Sequence, residues 1–207
     1  MTIKQRFLQA LAVSTLAAGM LLAPTAQAAD AYVTLDPAQP SDTAGKIEVL
    51  EFFAYSCPHC FKIEPLVKKW AATLPDNVVV RAVPVAFNAS MQDLQRLYYS
   101  LEALDRLDLH DKVFAAIHNE HKRIYTADAI ADWIATQGVD RQKFLDTFNS
   151  FGINTKISRA SELADQYKIE GTPSIAVGGK YVTSPSMTGS YESTIQEAQK
   201  LVDMVNP

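Results

Sequence analysis

The chain has two cysteines, Cys57 and Cys60, in the stretch "FFAYSCPHCFKIEPL" at residues 52–66, with Pro58 and His59 between them. Such a pair can ligate a metal, close a disulfide that stiffens a fold, or cycle between dithiol and disulfide. A structural zinc site needs four Cys or His ligands, and the other histidines, His110, His118 and His121, lie far along the chain. His118 and His121 are one helical turn apart, a spacing that suits a ligand pair and equally a solvated helix face; His110, beside Asp111, reads as solvated too, and no metal site is expected. A disulfide across two intervening residues closes a very small loop, where the chain-entropy gain is near its minimum. The pair is therefore read as a redox centre.

What positions it can be read on either side. "IEVLEFFA", residues 47–54, is apolar apart from Glu48 and Glu51, the pattern of a strand buried on both faces in a parallel or mixed sheet. Residues 61–74 read as a helix with Phe61, Ile63, Leu66, Val67 and Trp70 on its apolar face and Pro75 at its end. A second strand, "VVVRAVPV", opens after Asn77 and is interrupted near its end by Pro84. Strand, Cys-x-x-Cys, helix, strand is a βαβ unit, and chemistry in such sheets sits beyond the carboxyl ends of the strands.

Cys57 then falls at the start of the helix, where unpaired N–H groups and aligned peptide dipoles favour an anion. Pro58 suits the first helical position, and Cys60, inside the first turn, is the buried partner of an exposed Cys57. Helix-terminus effects reach about 2 kcal/mol, which lowers a thiol pKa by only ~1.5 units. Any larger drop needs help from His59, from the Cys60 thiol or from free backbone amides. A pKa of about 4 would stabilise the thiolate by ~4 kcal/mol at neutral pH, or about 90 mV of added oxidising power.

Two features elsewhere bear on the pair. Gly171-Thr172-Pro173-Ser174 precedes a strand; Pro173 either ends a loop in the trans form or is cis, which would leave the Thr172 N–H and C=O free for an extended peptide. Glu51 interrupts its strand six residues before Cys57. Its carboxylate is either buried near the pair, where it could relay protons, or faces solvent at a sheet edge.

The rest of the chain frames these elements as an α/β fold with an all-helical insert. Residues 29–45 form an N-terminal arm with a short strand at 32–35. From 91 to 152 the periodicity is helical, with Leu94, Leu97, Tyr98, Leu101, Leu104 and Leu107 at three-and-four spacing and Gly138 and Gly152 at helix ends. A helix at 156–167, a hairpin with arms 174–177 and 180–183 turning at Gly178-Gly179, and a helix at 191–205 complete it. Residues 29–90 and 153–207 thus make one domain and 91–152 the insert.

Lys4 and Arg6, an apolar stretch at 8–22 and Ala26-Gln27-Ala28 have the form of a cleaved secretory signal, residues 1–28. The apolar stretch is shorter than the ~20 residues of a membrane span. Removing it leaves 17 basic residues, 19 less Lys4 and Arg6, against 23 acidic ones. That balance argues against nucleic-acid binding. Export places the cysteines in an oxidising compartment.

"VLEFFAYSCPHC" and "GTPS", with the signal and the helical interruption, resemble the DsbA family of periplasmic thiol-disulfide oxidases over essentially the whole mature chain. The resemblance implies a thioredoxin fold split by a helical domain, with Cys57 forming the mixed disulfide, Cys60 its partner and His59, after Pro58, tuning the thiolate. It also implies a cis Pro173 facing the pair and Glu51 as the buried acid. The resemblance also implies a low-pKa, strongly oxidising dithiol. One departure is that the family often pairs the acid with a lysine on the next strand, and here Ala82 falls there, with Arg81 beside it.

The partners implied are reduced or partly unfolded exported proteins, docked in an apolar groove between the cis-proline loop and the helical domain, and a quinone-linked membrane reoxidase of the DsbB type. No bound cofactor is needed, and a monomer is expected. A disulfide isomerase or reductase of the same fold is an alternative, although isomerases of the DsbC type carry an N-terminal dimerisation domain that residues 29–45 are too few to form. A Cu(I)-binding protein would use the same soft thiolates, but Met91, Met187 and Met204 form no clear ligand cluster with them. A peptide-binding module of this fold would not need Cys57 at all.

Overall fold

Strand β2 (Ile47–Phe53) is buried at all but its first residue, as a central strand must be when both faces are covered. The structure, a computed structural model, describes residues 30–206; the expected signal at 1–28 lies outside them. β2 runs parallel to β3 (Val78–Pro84) and antiparallel to β4 (Ser174–Val177). β4 pairs with β5 (Tyr181–Thr183), and β5 with β1 (Val33–Thr34), which is the whole of the strand expected at 32–35. The mixed sheet has the order β1-β5-β4-β2-β3.

Helix α1 (Pro58–Ala71) crosses from β2 to β3 and begins three residues before position 61, where the periodicity put its start. The reason is local: the Cys57 side chain caps it and Pro58 occupies the first helical position. Ile63, Val67 and Trp70 of α1 pack with Val49, Ile175 and Val177 of the sheet and with Ala198, Leu201 and Val202 of α8 (Tyr191–Val205). Successive strand residues face opposite sides, so Leu50 and Phe52 join a second core with Tyr167 and the helices α2 (Gln92–Ala103), α3 (His110–His118), α4 (Ala127–Thr136), α5 (Arg141–Phe148) and α6 (Phe151–Gln166). This is a thioredoxin-like fold with added helices.

α6 starts at Phe151 and not near 156, because the Ser150 hydroxyl accepts from the Ile153 N–H at 3.4 Å and caps it. Gly152 therefore lies in the first turn of a helix and not at a helix end, and the division drawn at 152/153 falls inside that turn. Gly138, at φ +81°, does follow a helix end. Among the described residues, no helix is long and apolar enough to cross a membrane.

The β4–β5 turn uses Gly178 at φ +60° and Gly179 at φ +71°, the left-handed pair that a two-residue hairpin turn requires. The Gln39 N–H donates to the Gly179 carbonyl at 2.7 Å, so the turn also anchors the N-terminal arm. A Cβ at Gly179 would stand 2.1 Å from the Gln39 carbonyl oxygen. Gly179→Ala is expected to lower stability in urea by about 2 kcal/mol or more. Gly152→Ala, helical and unobstructed, is expected to raise it by about 0.5–1 kcal/mol; equal effects of the two would contradict this account of the turn.

Candidate active site

Cys57 is the N-cap of α1, at φ −85° and ψ 115°, and its sulfur accepts from the Cys60 N–H at 3.4 Å. Both cysteines are free thiols. Their surroundings differ: Cys57 is half-buried, while Cys60 is 0% exposed. The Cys57 pKa is lowered to about 5, chiefly by a hydrogen bond from the Cys60 thiol, with the Cys60 N–H, the Thr172 side chain and the His59 N–H adding to it against the opposing effect of burial. Burial, and then the neighbouring Cys57 sulfur, push Cys60 far up. At neutral pH the anion is therefore on Cys57 alone.

His59 acts on that sulfur through its backbone. Its exposed ring turns away, with Nδ1 2.7 Å from the Tyr191 hydroxyl at the start of α8. Tyr191 was not singled out from the sequence, since nothing near it carries a chemical signal and only the fold brings α8 to the pair. Thr172–Pro173 is cis, and the Thr172 carbonyl accepts from the Cys57 thiol at 3.3 Å. The Thr172 N–H makes no backbone hydrogen bond among the described residues.

Beside the pair lies a cavity of about 920 Å³ lined by Leu35, His59, Pro173, Val182, Met187 and Tyr191, among others. It runs between the cis-proline loop and residues 182–192, which include the short helix α7 (Pro185–Thr188). None of its lining comes from 91–152. This cavity therefore opens on the side of the cis-proline loop away from the helical insert. On the side of the insert, Phe61 stacks on His118 at 5.2 Å and 11°, and His118 Nε2 hydrogen-bonds the Tyr55 carbonyl at 2.8 Å.

Glu51 is 3% exposed, so it does not face solvent at a sheet edge. Ala82 stands opposite it on β3 and offers no base. Arg81, on the other face of that strand, pairs with Glu48 and lies 3.6 Å from Asp42. Burial, and then the nearby Glu64, raise the Glu51 pKa well above the usual carboxylate range. Glu64 and His110 escaped the sequence reading. Glu64 is 6% exposed and follows Cys60 by one turn on the buried face of α1; that four-residue spacing was the available signal. His110, expected on a solvated face, is also 6% exposed, because Phe53, Tyr98 and Phe114 surround its ring. No group of three or more His, Cys, Asp or Glu suited to a metal occurs among the described residues.

A family model described as a DSBA-like thioredoxin domain matches residues 48–194. The chain belongs to the DsbA family. It is 53% identical over 199 residues to the thiol:disulfide interchange protein DsbA of Bordetella parapertussis, covering 95% of both chains. It is 38% identical over 173 residues to the Pseudomonas aeruginosa DsbA, covering 83% of this chain and 82% of that one. The crystal structure of Pseudomonas aeruginosa DsbA matches with a TM-score of 0.81 at 37% identity, over 85% of this chain and 92% of the other. That of DsbA from Xylella fastidiosa gives 0.78 at 29%, over 84% and 94%. As a DsbA-family protein, the chain is a disulfide oxidoreductase that exchanges thiols and disulfides.

Two measurements follow from the dithiol. Thiolate absorbance near 240 nm is expected to titrate with a midpoint at about 5; a midpoint near 8 would contradict the donor arrangement around Cys57. A pKa that folding lowers from 9.0 to about 5 adds stability to the reduced form above pH 9, and that stability is lost as pH falls through about 5. The urea midpoint of the reduced protein is therefore expected to rise against that of the oxidised protein between pH 5 and pH 8, and a constant gap would contradict it.

Proposed function

We propose that this DsbA-family protein donates a Cys57–Cys60 disulfide to reduced, newly exported proteins in the periplasm, to which residues 1–28 direct it. The observation that carries the reading is the stabilised Cys57 thiolate, held by the Cys60 thiol and N–H, the Thr172 side chain and the His59 N–H. Stabilising the reduced form makes the disulfide the better oxidant.

In the exchange, a client thiolate attacks Cys57 Sγ and the Cys57–Cys60 bond breaks. The electron pair goes to Cys60, which, being buried, takes up a proton; Glu51 supplies it. A second client thiolate attacks the client sulfur of the mixed disulfide, and Cys57 leaves as a thiolate. The client has then lost two electrons and the dithiol has gained them. Client backbone pairs with Thr172 beside cis Pro173, and client side chains use the cavity toward Met187 and Tyr191.

Pro58 pre-forms the first helical turn, and the orientation of His59 is fixed by Tyr191. The dithiol is reoxidised by a quinone-linked membrane partner of the DsbB type, and the protein works as a monomer without a bound cofactor. The helical segment 91–152 is an insert in the thioredoxin-like unit.

Equilibration with glutathione tests the direction of flow. The potential is expected well above that of thioredoxin, about −270 mV; a value that low would assign the chain to reduction. Cys60→Ser is expected to accumulate a client disulfide at Cys57, and Cys57→Ser to abolish exchange. Retained client function in Cys57→Ser would mark a peptide-binding module, and tight Cu(I) binding without exchange a metal carrier.

A further inference from the structure

Tyr191 is the first residue of α8, and its surroundings hold it in place. The Ser190 hydroxyl accepts from the Ser193 N–H at 3.0 Å and the Ser190 carbonyl from the Thr194 hydroxyl at 2.7 Å, so the first turn of α8 is capped. Further along, Ala198, Leu201 and Val202 pack against Ile63, Val67 and Trp70 of α1, and the Trp70 indole N–H donates to the Gln199 side chain at 2.7 Å. The two helices are thereby joined, and the head of α8 stands beside the head of α1, where His59 is the second residue.

A single polar contact links the two heads. His59 Nδ1 lies 2.7 Å from the Tyr191 hydroxyl, with the ring centroids 6.3 Å apart and the planes tilted by 46°. The Cys57 sulfur bonds the Cys60 N–H and the Thr172 carbonyl, and among the described residues no hydrogen bond joins it to the imidazole. An imidazole beside a thiol at a helix terminus is nevertheless a ready donor to the thiolate. The charged side chains lining the same cavity as His59 are Lys168, Glu170 and Glu192. All three are exposed, where solvent screens them, which leaves the hydroxyl as the specific partner of the ring.

We propose that Tyr191 is a positioning residue whose hydroxyl holds the His59 imidazole off the Cys57 sulfur and so limits how far the thiolate is stabilised. The role rests on the reading of Cys57 given above. For the ring to serve the sulfur it has to give up its bond to Tyr191. Its help to the thiolate is therefore the difference between two hydrogen bonds, and the hydroxyl reduces that help by a factor of about three to ten. His59 is exposed, so a released ring is free to rotate about χ1 over the head of α1.

The restraint serves the reaction in both directions. A more stable Cys57 thiolate leaves the mixed disulfide more readily, but its nucleophilicity falls with its basicity. The same gain would slow its attack on the oxidant's disulfide. Tyr191 holds the sulfur between these demands without touching it.

The test is the glutathione equilibrium of the mature protein at pH 7, with thiolate absorbance near 240 nm titrated alongside, in the parent, Tyr191→Phe, His59→Ala and the double variant. Tyr191→Phe removes one oxygen from a half-buried ring and leaves the fold intact. It is expected to raise the constant for oxidation of glutathione by about threefold to tenfold and to lower the thiolate midpoint by about half to one pH unit. In the His59→Ala background the same change is expected to have no effect, because the hydroxyl acts through the ring. An unchanged constant and midpoint in Tyr191→Phe, with or without loss of stability in urea, would overturn the proposal. So would a change in the opposite direction, or one that survives in His59→Ala. A parent midpoint near 8 would instead sink the reading of Cys57, whereas a parent midpoint at about 5 with an unchanged Tyr191→Phe sinks only the role of Tyr191.

Discussion

Everything at this site depends on one sulfur capping one helix. Cys57 accepts from the first turn of α1, where backbone N–H groups have no partner within the helix. The helix can present that turn only because β2 delivers the chain to it from the middle of the sheet and Pro58 fixes the first helical residue. A thiolate there satisfies the helix terminus, and the terminus in turn keeps the thiolate from reacting as a strong base. The capping bond from the Cys60 N–H adds to the acidity, to which the Cys60 thiol contributes most.

The second cysteine has the opposite surroundings three residues away. Cys60 is sealed in the core that joins the sheet to the added helices, so it cannot hold charge and has to trade protons instead. A difference in burial between two residues of one helical turn thereby separates the nucleophile from the proton-coupled partner. It also explains why polar side chains are tolerated beneath α1. Glu51 and Glu64 would each be costly alone in that position. Glu64 is matched by His110 and Lys68, and His110 by Tyr55, while Glu51 Oε1 is left without a partner among the described residues.

Much of this was legible in order along the chain. The apolar run of β2, the proline at the head of α1 and the paired glycines of the β4–β5 turn are local signals, and each describes its own segment. Pro58 marked the first residue of α1, ahead of position 61 where the apolar periodicity begins, and the boundary that slipped, the start of α6, did so because the Ser150 cap outweighed the periodicity. The stacking of Phe61 on His118, across more than fifty residues of chain, leaves no periodic trace. Of the polar layer, only Glu51 stood out, as a charge in an apolar strand. Glu64 looked like any charge on an amphipathic helix, and His110 like a solvated histidine.

The sequence by itself determined the chemistry of this protein: two cysteines at redox spacing at a strand-to-helix junction, followed by a Thr-Pro before a strand, because residue type and local backbone suffice to make a capped, reactive sulfur. Only the tertiary structure decided which groups serve it. The partner of His59, the lining of the cavity beside the pair and the burial of Glu51 all depend on residues from different elements. Hydrogen bonds and burial act over a few ångströms of space, whatever the distance along the chain.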